Sequence, residues 1–367
     1  MSYDKKFMLR AIELAEKGVG AVNPNPLVGA VIVRDGHIIA EGYHTKYGEL
    51  HAEREALKAA KDAEVDVAGA EMYVTLEPCC HKGKQPPCTE AIIEAGISRV
   101  YVGSNDPNPL VAGKGIWQLR DAGIEVITNC MKEECDKLNP VFFHYINTNL
   151  PYVVYKYAMS MDGKTSNERG KGCAISNDES RQMVQEMRNR YTAIMVGIGT
   201  VLADDPSLEC HMEGGRNPVR IICDDHLQIP MDSEIVKTAG DVRTYIASLA
   251  ENERREPEKV NELARLGIGT LLLPPGEDGR VDLHKLMELL GKMKIDSILL
   301  EGGGELAYSM MRDGFVDEVE VFIAPKMFGG RDVPTPLAGE GNLDGFGFEL
   351  RTVKECDGDV CLIYDRR

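Results

Sequence analysis

Short apolar runs alternate with helical patterns along most of the chain, and this alternation limits the possible folds more than any other feature. Between residues 8 and 127 the order after a first helical pattern (8–17) is β-β-α-β-α-β-α-β. It begins with two runs, 28–33 and 38–42, around an Asp-Gly turn, which is typical of a β-hairpin. Strands that alternate with helices pair into a sheet covered by those helices, so the first half predicts a mixed sheet between helical layers.

A polar break at residues 147–151 (Asn-Thr-Asn-Leu-Pro) separates this half from a second alternating pattern. We therefore predict two domains, 1–147 and 151–367. The second is predicted to be α/β with a mainly parallel sheet. Its predicted strands are 152–158, 193–196, 219–223, 243–246, 270–273, 297–300, 318–323 and 360–364, and its predicted helices are 180–191, 281–293 and 306–313.

The charge of the chain narrows the choice of partners. The formal net charge is −17, and contacts to a polyanion need clustered Lys and Arg. Nucleic acid and anionic membranes are thus poor partners, whereas a small phosphorylated ligand needs only one or two local cations. No apolar run is long enough to span a membrane, and the N-terminus lacks a signal-peptide pattern. We therefore expect the protein to be located in the cytoplasm.

One group of residues has the spacing of a metal site. His51 begins a predicted helix, Cys79 follows a predicted strand, and Cys88 precedes the next helix. Imidazole and thiolates are good zinc ligands, and three protein ligands leave one position for water. Glu53 lies two residues from His51, where a carboxylate can move protons to and from that water. This is the equipment for hydrolytic deamination of an aminopyrimidine ring.

The same residues allow two other interpretations. A structural zinc would take a fourth ligand, which Cys80 or His81 could supply, and buried cysteines could also hold no metal. The His-x-Glu and Pro-Cys pattern is, however, that of zinc deaminases. The two cysteines are nine residues apart here, instead of three as in the nucleic-acid and cytidine deaminases, and the pattern favours the catalytic interpretation.

The segment 75–88, Thr-Leu-Glu-Pro-Cys-Cys-His-Lys-Gly-Lys-Gln-Pro-Pro-Cys, resembles the bifunctional deaminase/reductases of riboflavin biosynthesis. Segments 23–29 and 106–109 resemble the same family, and the resemblance covers essentially the whole chain. It implies a cytidine-deaminase-like α/β/α sandwich followed by a dihydrofolate-reductase-like α/β domain. It also implies zinc-dependent deamination of 2,5-diamino-6-(ribosylamino)pyrimidinone 5′-phosphate, then reduction of the ribosyl group to ribityl with NADPH.

The resemblance assigns roles in the first domain. His51, Cys79 and Cys88 would hold one zinc ion per chain, Glu53 would shuttle the proton, and Cys80, which stands where the family usually has Ser, would not be a ligand. The substrate-binding positions that it implies are Asn23, His81, Lys84, Asp106 and Asn108. The asparagines also suit turns beside proline.

In the second domain, segments 159–164, 200–207 and 301–305 follow predicted strands and resemble the family's reductase domain. A Gly-rich strand-to-helix turn permits close approach of a phosphate, although the G-x-G-x-x-G pattern is absent and a plain turn is equally compatible. The implied NADPH-binding residues are Ala158, Ala174, Thr200, Asp204, Asp225, Gly303, Gly304, Glu305, Leu306 and Ala307. The implied substrate-binding residues are Gly172, Arg188, Leu208, His211 and Glu301. Without the resemblance, Arg188 would be interpreted as a solvent-exposed charged side chain on a helix.

Four positions depart from the family pattern. Gly172 replaces Ser, Ala174 replaces Trp, His211 replaces a substrate-contacting Arg, and Asp225 replaces Ser near the cofactor. The loss of a hydroxyl donor and of a permanent cation predicts weaker phosphate binding by the reductase half, because a His cannot copy a bidentate Arg.

Other functions therefore remain open at this point. They are an active deaminase with a degraded reductase half, a nucleic-acid-editing deaminase, and a zinc-stabilised binding protein without activity. The acidic charge disfavours the nucleic-acid reading. A homo-oligomer is also expected, although no residue pattern indicates its size.

Overall fold

The structure is a computed structural model, and it describes residues 3–82, 85–108 and 111–367. The chain forms two compact units, Met1–Thr148 and Asn149–Arg367. Over the described part of the chain, no helix has the length and apolar character needed to cross a membrane.

The first unit contains one five-stranded sheet. Its elements in chain order are α1 (Lys5–Glu16), β1 (Gly29–Arg34), β2 (His37–Tyr43), α2 (Ala52–Asp62), β3 (Glu71–Leu76), α3 (Cys88–Glu94), β4 (Arg99–Ser104), α4 (Lys114–Asp121), β5 (Glu125–Ile127), α5 (Lys132–Lys137) and α6 (Pro140–Thr148). The strand order is β2-β1-β3-β4-β5. Strand β1 pairs antiparallel with β2 and β3, and the β3/β4 and β4/β5 pairs are parallel.

Each face of this sheet packs against helices. Met72 and Val74 of β3 belong to a core with α2, α3 and α4, whereas Tyr73, between them, belongs to a core with α1 and α5. The alternation follows from the two-residue period of a strand. The first unit is therefore a three-layered α/β/α sandwich, as the sequence predicts.

The second unit contains a nine-stranded sheet. Its elements are β6 (Tyr152–Ser160), α7 (Asp178–Arg190), β7 (Ala193–Gly197), α8 (Ile198–Asp204), β8 (Val219–Cys223), α9 (Glu234–Lys237), β9 (Thr244–Leu249), α10 (Asn252–Arg255), α11 (Pro257–Arg265), β10 (Ile268–Leu273), α12 (Leu283–Lys292), β11 (Ser297–Glu301), α13 (Gly304–Arg312), β12 (Val316–Ala324), β13 (Phe348–Cys356) and β14 (Asp359–Arg366). The strand order is β10-β9-β8-β7-β11-β6-β12-β14-β13.

All strand pairs from β10 to β12 are parallel, and the β13/β14 hairpin adds the antiparallel edge. The mainly parallel sheet predicted for this half is confirmed. Ligands of open α/β sheets bind beyond the carboxyl ends of the strands. Those ends place the loops after β6, β7 and β11 at one edge of the sheet.

Strand β13 and the helices α5, α6, α8, α9, α10 and α11 have no counterpart in the sequence prediction, and α8 occupies part of the segment 200–207 that was predicted as a loop. In β13 nearly every residue is exposed, so the strand lacks the apolar alternation by which a half-buried strand is recognised. Hydrogen bonding to β14 forms the strand, and that pairing cannot be read from a local pattern.

Candidate functional site

The first candidate site lies where two helices begin beside the end of a strand. His51 is the N-cap of α2, Cys79 follows β3, and Cys88 is the first residue of α3. The Nδ1 atom of His51 lies 3.5 Å from the Sγ of Cys79 and 3.5 Å from the Sγ of Cys88. All three ligand atoms lie within 4.8 Å of one another.

This donor set fits a zinc ion. Two ligands at zinc bond lengths of about 2.0 to 2.3 Å and a tetrahedral angle are about 3.6 Å apart, close to the N–S separations found here. Hydrogen bonds from Cys88 and His51 lower the pKa of the Cys79 thiol, which favours the thiolate that a metal requires. Cys80 and His81 lie outside this cluster. The cluster thus offers three ligands.

Glu53 lies against this cluster without belonging to it. It occupies the first turn of α2 and is 4% exposed. Its carboxyl group is in hydrogen-bonding contact with Cys88, and burial raises its pKa above the ordinary value. A buried carboxyl group beside the ligands can hold and release a proton.

A second histidine packs on the first, and the sequence analysis missed it. The rings of His44 and His51 meet edge to face with centroids 5.2 Å apart. His44 is buried, its Nδ1 lies 2.9 Å from the Leu50 carbonyl oxygen, and its Nε2 lies 3.1 Å from the Asn25 side-chain amide. These bonds orient His44 and bring the 23–25 loop to the site. The only sequence signal was a histidine in the same loop as His51.

Glu77 positions the other wall of the site, again without having been singled out beforehand. Its buried carboxylate accepts hydrogen bonds from the backbone N–H groups of Gly113 and Gly115 at 3.0 and 3.1 Å. A Cβ at Gly115 would lie 2.1 Å from the Pro78 carbonyl oxygen, so only glycine allows α4 to approach here. Glu77 therefore fixes the segment that follows β4 next to Cys79.

The structure describes all but one of the expected substrate-binding residues of this unit. Asp106 is buried close to Cys79, accepts a hydrogen bond from the Asn108 N–H at 2.8 Å, and burial raises its pKa to about 6. The Nδ1 of His81 is buried and has no hydrogen-bond partner among the described residues. Asn23 precedes a cis-proline in the loop that carries Asn25. Lys84 lies outside the described residues.

The second candidate site lies in the second unit, at the carboxyl end of β11. Arg188 of α7 donates two hydrogen bonds to Glu301, with Nε–Oε1 and Nη2–Oε2 distances of 3.1 and 2.9 Å. Both side chains are nearly buried, so Arg188 is not a solvated helix charge. Burial raises the pKa of Glu301, but the charges of Arg188 and Lys156 outweigh this effect and the pKa is lowered. Glu301 is thus a buried carboxylate.

Lys156 of β6 completes this group and was not identified from the sequence. It is half-buried, and its Cα pairs with that of Glu301 across the parallel β6/β11 ladder. Burial lowers its pKa below the ordinary lysine value, although the Glu301 carboxylate opposes the shift. A lysine in this environment can give up a proton more readily than a surface lysine.

The two loops expected to bind the cofactor do converge. Gly302 and Gly303 adopt left-handed φ angles of 76° and 78°. A Cβ at Gly302 would lie 3.0 Å from the Thr200 Oγ1, and one at Gly303 3.6 Å from it. Glycine supplies both the backbone conformation and the space. The turn between β11 and α13 therefore packs directly on the first turn of α8.

Two of the departures from the family pattern have a local explanation. A Cβ at Gly172 would lie 2.1 Å from the Oδ1 of Asp204, so the Asp204 carboxylate occupies the space of a side chain at position 172. The Asp225 carboxylate accepts a hydrogen bond from the Val281 N–H at 2.9 Å, which gives this charge a structural partner. Nothing in the structure explains Ala174, whose carbonyl oxygen accepts a long hydrogen bond from Lys326.

The other expected residues of this unit differ in their burial and contacts. Leu208 is buried at a left-handed φ of 57°, and His211 is exposed, with its N–H donating to the Gln185 side chain at 2.8 Å. Glu305 is exposed and forms an ion pair with Arg280. Leu306 lies near Gly197, Ala307 is buried, Gly304 approaches the Thr335 carbonyl oxygen, and Ala158 is half-buried in β6.

Comparison with known proteins places these two units in one family. Residues 151–362 match the RibD C-terminal domain, and residues 1–104 match the cytidine and deoxycytidylate deaminase zinc-binding region. The chain is 50% identical to the riboflavin biosynthesis protein RibD of Actinobacillus pleuropneumoniae, over 98% of this chain and 95% of that protein. The chain belongs to the RibD family. The riboflavin biosynthesis protein RibD of Escherichia coli is 39% identical over 98% of both chains.

A solved structure agrees over almost the full length. The diaminohydroxyphosphoribosylaminopyrimidine deaminase/5-amino-6-(5-phosphoribosylamino)uracil reductase of Thermotoga maritima has a TM-score of 0.87 and 37% identity, covering 99% of this chain and 98% of that one. The predicted family and fold class are confirmed, as is the prediction of a bifunctional enzyme with a zinc-binding deaminase domain and a reductase domain. The degraded-reductase alternative has no support in these matches.

Proposed function

We propose that the chain deaminates 2,5-diamino-6-(ribosylamino)pyrimidinone 5′-phosphate at the first site and then reduces the ribosyl group of the product with NADPH at the second. The cluster of His51, Cys79 and Cys88 with the buried Glu53 carries the first part of this proposal. The Arg188–Glu301–Lys156 group beside the Gly302–Gly303 turn supports the second. Cytoplasmic location and homo-oligomeric assembly stay predictions.

In the deaminase site, His51, Cys79 and Cys88 would hold one zinc ion per chain, which when bound supplies a Lewis acid that activates water. Glu53 takes a proton from the attacking water and returns it to the amino group that leaves as ammonia. Asp106 and Asn108 lie in the segment that Glu77 fixes beside Cys79. The His81 Nδ1, which has no hydrogen-bond partner within the described part of the chain, is suited to the substrate phosphate, together with Asn23 and Lys84 at the positions implied by the family.

In the reductase site, the cofactor is expected at the turn after β11 and the adjoining α8, and when bound it supplies a hydride. Arg188 and Glu301 hold each other in place and present one carboxylate to the ribosyl group. Lys156 is the group that gives a proton to the oxygen released when the ribosyl ring opens. His211 is exposed on the loop beside Arg188, and its contact with the phosphate stays a prediction.

The direct experiment is incubation of the purified protein with the diaminopyrimidinone ribotide, with and without NADPH. We expect ammonia release in both cases and NADPH oxidation only after deamination. Ammonia and NADPH are measured separately, so the deaminase and reductase activities are determined independently. Ammonia release without oxidation of NADPH or NADH would contradict the reductase assignment, and absence of ammonia would contradict the deaminase assignment.

Replacing Cys88 with alanine is expected to abolish zinc binding. The substitution removes one of three ligands and leaves Cys79 and His51 as an incomplete set. The measurement is metal content of the purified variant. Cys80→Ala is the matched control, since Cys80 lies next to the cluster but outside it, and this variant should retain zinc. Zinc retained by Cys88→Ala but lost from Cys80→Ala would reverse the ligand assignment.

A further inference from the structure

Three charged residues form one row across the second sheet. Strand β6 lies between β11 and β12, and the Cα of Lys156 pairs with that of Glu301 on one side and with that of Glu320 on the other. In parallel ladders paired residues point to the same face, and neighbouring strands are about 4.8 Å apart. Lys156 therefore lies between two carboxyl groups, of which only Glu301 has a part in the proposed reaction so far.

The lysine side chain also approaches the strand that carries Glu320. Its Nζ lies 5.9 Å from the centre of the Phe322 ring, and Phe322 follows Glu320 by two residues on the same face of β12. Glu320 is 7% exposed and interacts electrostatically with Lys156. A buried carboxyl group next to a lysine needs a functional or structural reason, because burial of the charged form is costly.

Glu320 does not stand alone. It is in hydrogen-bonding contact with Glu318, the residue two positions earlier on the same face, which is 3% exposed. Glu318 in turn accepts a hydrogen bond from Arg351 at 2.8 Å and from the Tyr152 hydroxyl at 3.1 Å. A hydrogen bond between two carboxyl groups requires one proton, and burial, followed by the charge of its neighbour, raises the pKa of Glu320, so Glu320 is the group that holds this proton.

We propose that Glu320 is a positioning residue of the reductase site: with Glu318 it holds the proton that returns Lys156 to its ammonium form in each turnover. The proposal rests on the proposed reductase function. Reduction adds one hydride from the nicotinamide cofactor to the anomeric carbon, breaks the bond between that carbon and the ring oxygen, and places one proton on this oxygen. Lys156 gives that proton and becomes an amine, Glu320 protonates the amine, and water restores the proton of the carboxyl pair.

The surroundings of Glu320 define the expected pH dependence. Besides Lys156 and Glu318, the groups that face it are Arg190 and Tyr191 at the end of α7, Arg351 of β13 and Cys361 of β14. Burial, followed by the Glu318 charge, raises the pKa of Glu320 to about 8. The proton-donating form is the acid, so kcat for reduction should fall as the pH rises through this value.

The test compares Glu320→Gln, Glu320→Asp and the unchanged protein with the deaminated ribotide as substrate. Glutamine keeps the shape but carries no transferable proton, so we expect kcat at pH 7 to fall about 10-fold to 100-fold with KM within about 2-fold. The alkaline limb of the kcat profile should move to lower pH, because above the Glu320 pKa of about 8 the variant lacks the carboxylate that favours the ammonium form of Lys156. Aspartate should restore part of kcat. Asp365→Asn is the matched control, because Asp365 pairs with Arg351 without lying in the row.

A second measurement needs no cofactor and no turnover. The rate at which acetic anhydride modifies Lys156, followed by peptide mass spectrometry, is recorded against pH in each protein, and thermal unfolding confirms the fold. Glu320→Gln should move the midpoint of this titration to lower pH, and Asp365→Asn should not. An unchanged midpoint, or a kcat loss in Glu320→Gln with an unshifted pH profile, would overturn the proposal. Failure of the unchanged protein to oxidise NADPH would instead overturn the proposed function, while the lysine titration still tests Glu320.

Discussion

Replacing Glu53 with glutamine is expected to lower kcat for deamination by about 10²-fold or more while zinc remains bound. Glu53 contacts Cys88 and is buried beside the ligand cluster, but it is not a ligand itself. Glutamine has nearly the same size, so the packing of α2 should survive. What the substitution removes is the group that accepts the proton of water and returns it to the leaving amine. Ammonia release and metal content are the two measurements.

Glu55→Gln is the matched control for this experiment. Glu55 lies in the same first turn of α2 and carries the same charge, but it is only half-buried and is not part of the cluster. Both variants remove one negative charge near the helix N-terminus, so a shared effect would reflect the helix rather than the chemistry. Deaminase activity within about 5-fold of normal in Glu53→Gln would refute the proton-transfer role.

Replacing Lys156 with methionine should lower kcat for reduction by about 10²- to 10⁴-fold and leave deamination unchanged. Methionine keeps most of the length and the packing near Phe322 but offers no proton and no charge. Oxidation of NADPH with the deaminated ribotide measures the first effect, and ammonia release from the other unit measures the second. Lys285→Met, on the exposed face of α12, is the control for the loss of one lysine.

Arginine at position 156 separates two possible roles of the lysine. Arg keeps a permanent positive charge between Glu301 and Glu320 but does not release a proton at ordinary pH. A proton-donating lysine therefore predicts that Lys156→Arg is as inactive as Lys156→Met. Substantial activity of Lys156→Arg would show that only the charge matters, and it would also remove the basis for a proton supply by Glu320.

Local sequence patterns were sufficient to predict which residues form the candidate metal cluster. His51, Cys79 and Cys88 each stand at the boundary of a helix or strand, and such boundaries are marked in the sequence by breaks in periodicity. The parallel β3/β4 ladder then places the segment after β4 beside the cluster. Because ligand type, spacing and element ends all agree, the cluster could be predicted without knowing the three-dimensional structure.

Other features of the two sites could not be predicted in this way. In the sequence, Glu77 is only part of the 75–88 motif. In the structure, its carboxylate accepts hydrogen bonds from the backbone N–H groups at the start of α4, some 36 to 39 residues further along the chain. Gly172 looked like the loss of a hydroxyl group, but the Asp204 carboxylate fills the corresponding space. Both findings depend on contacts between segments that are distant in sequence.

The sequence by itself determined the class of each domain and the three residues of the His51, Cys79 and Cys88 cluster. These properties depend on residue types and on local periodicity, which every stretch of the chain carries with it. Only the tertiary structure decided which charges meet in the reductase half. The row of Glu301, Lys156 and Glu320 exists because β6 is inserted between β11 and β12, which are the last two strands along the chain in the parallel part of the sheet. Strand order and register of a parallel sheet are set by packing between distant segments, and no local pattern encodes them.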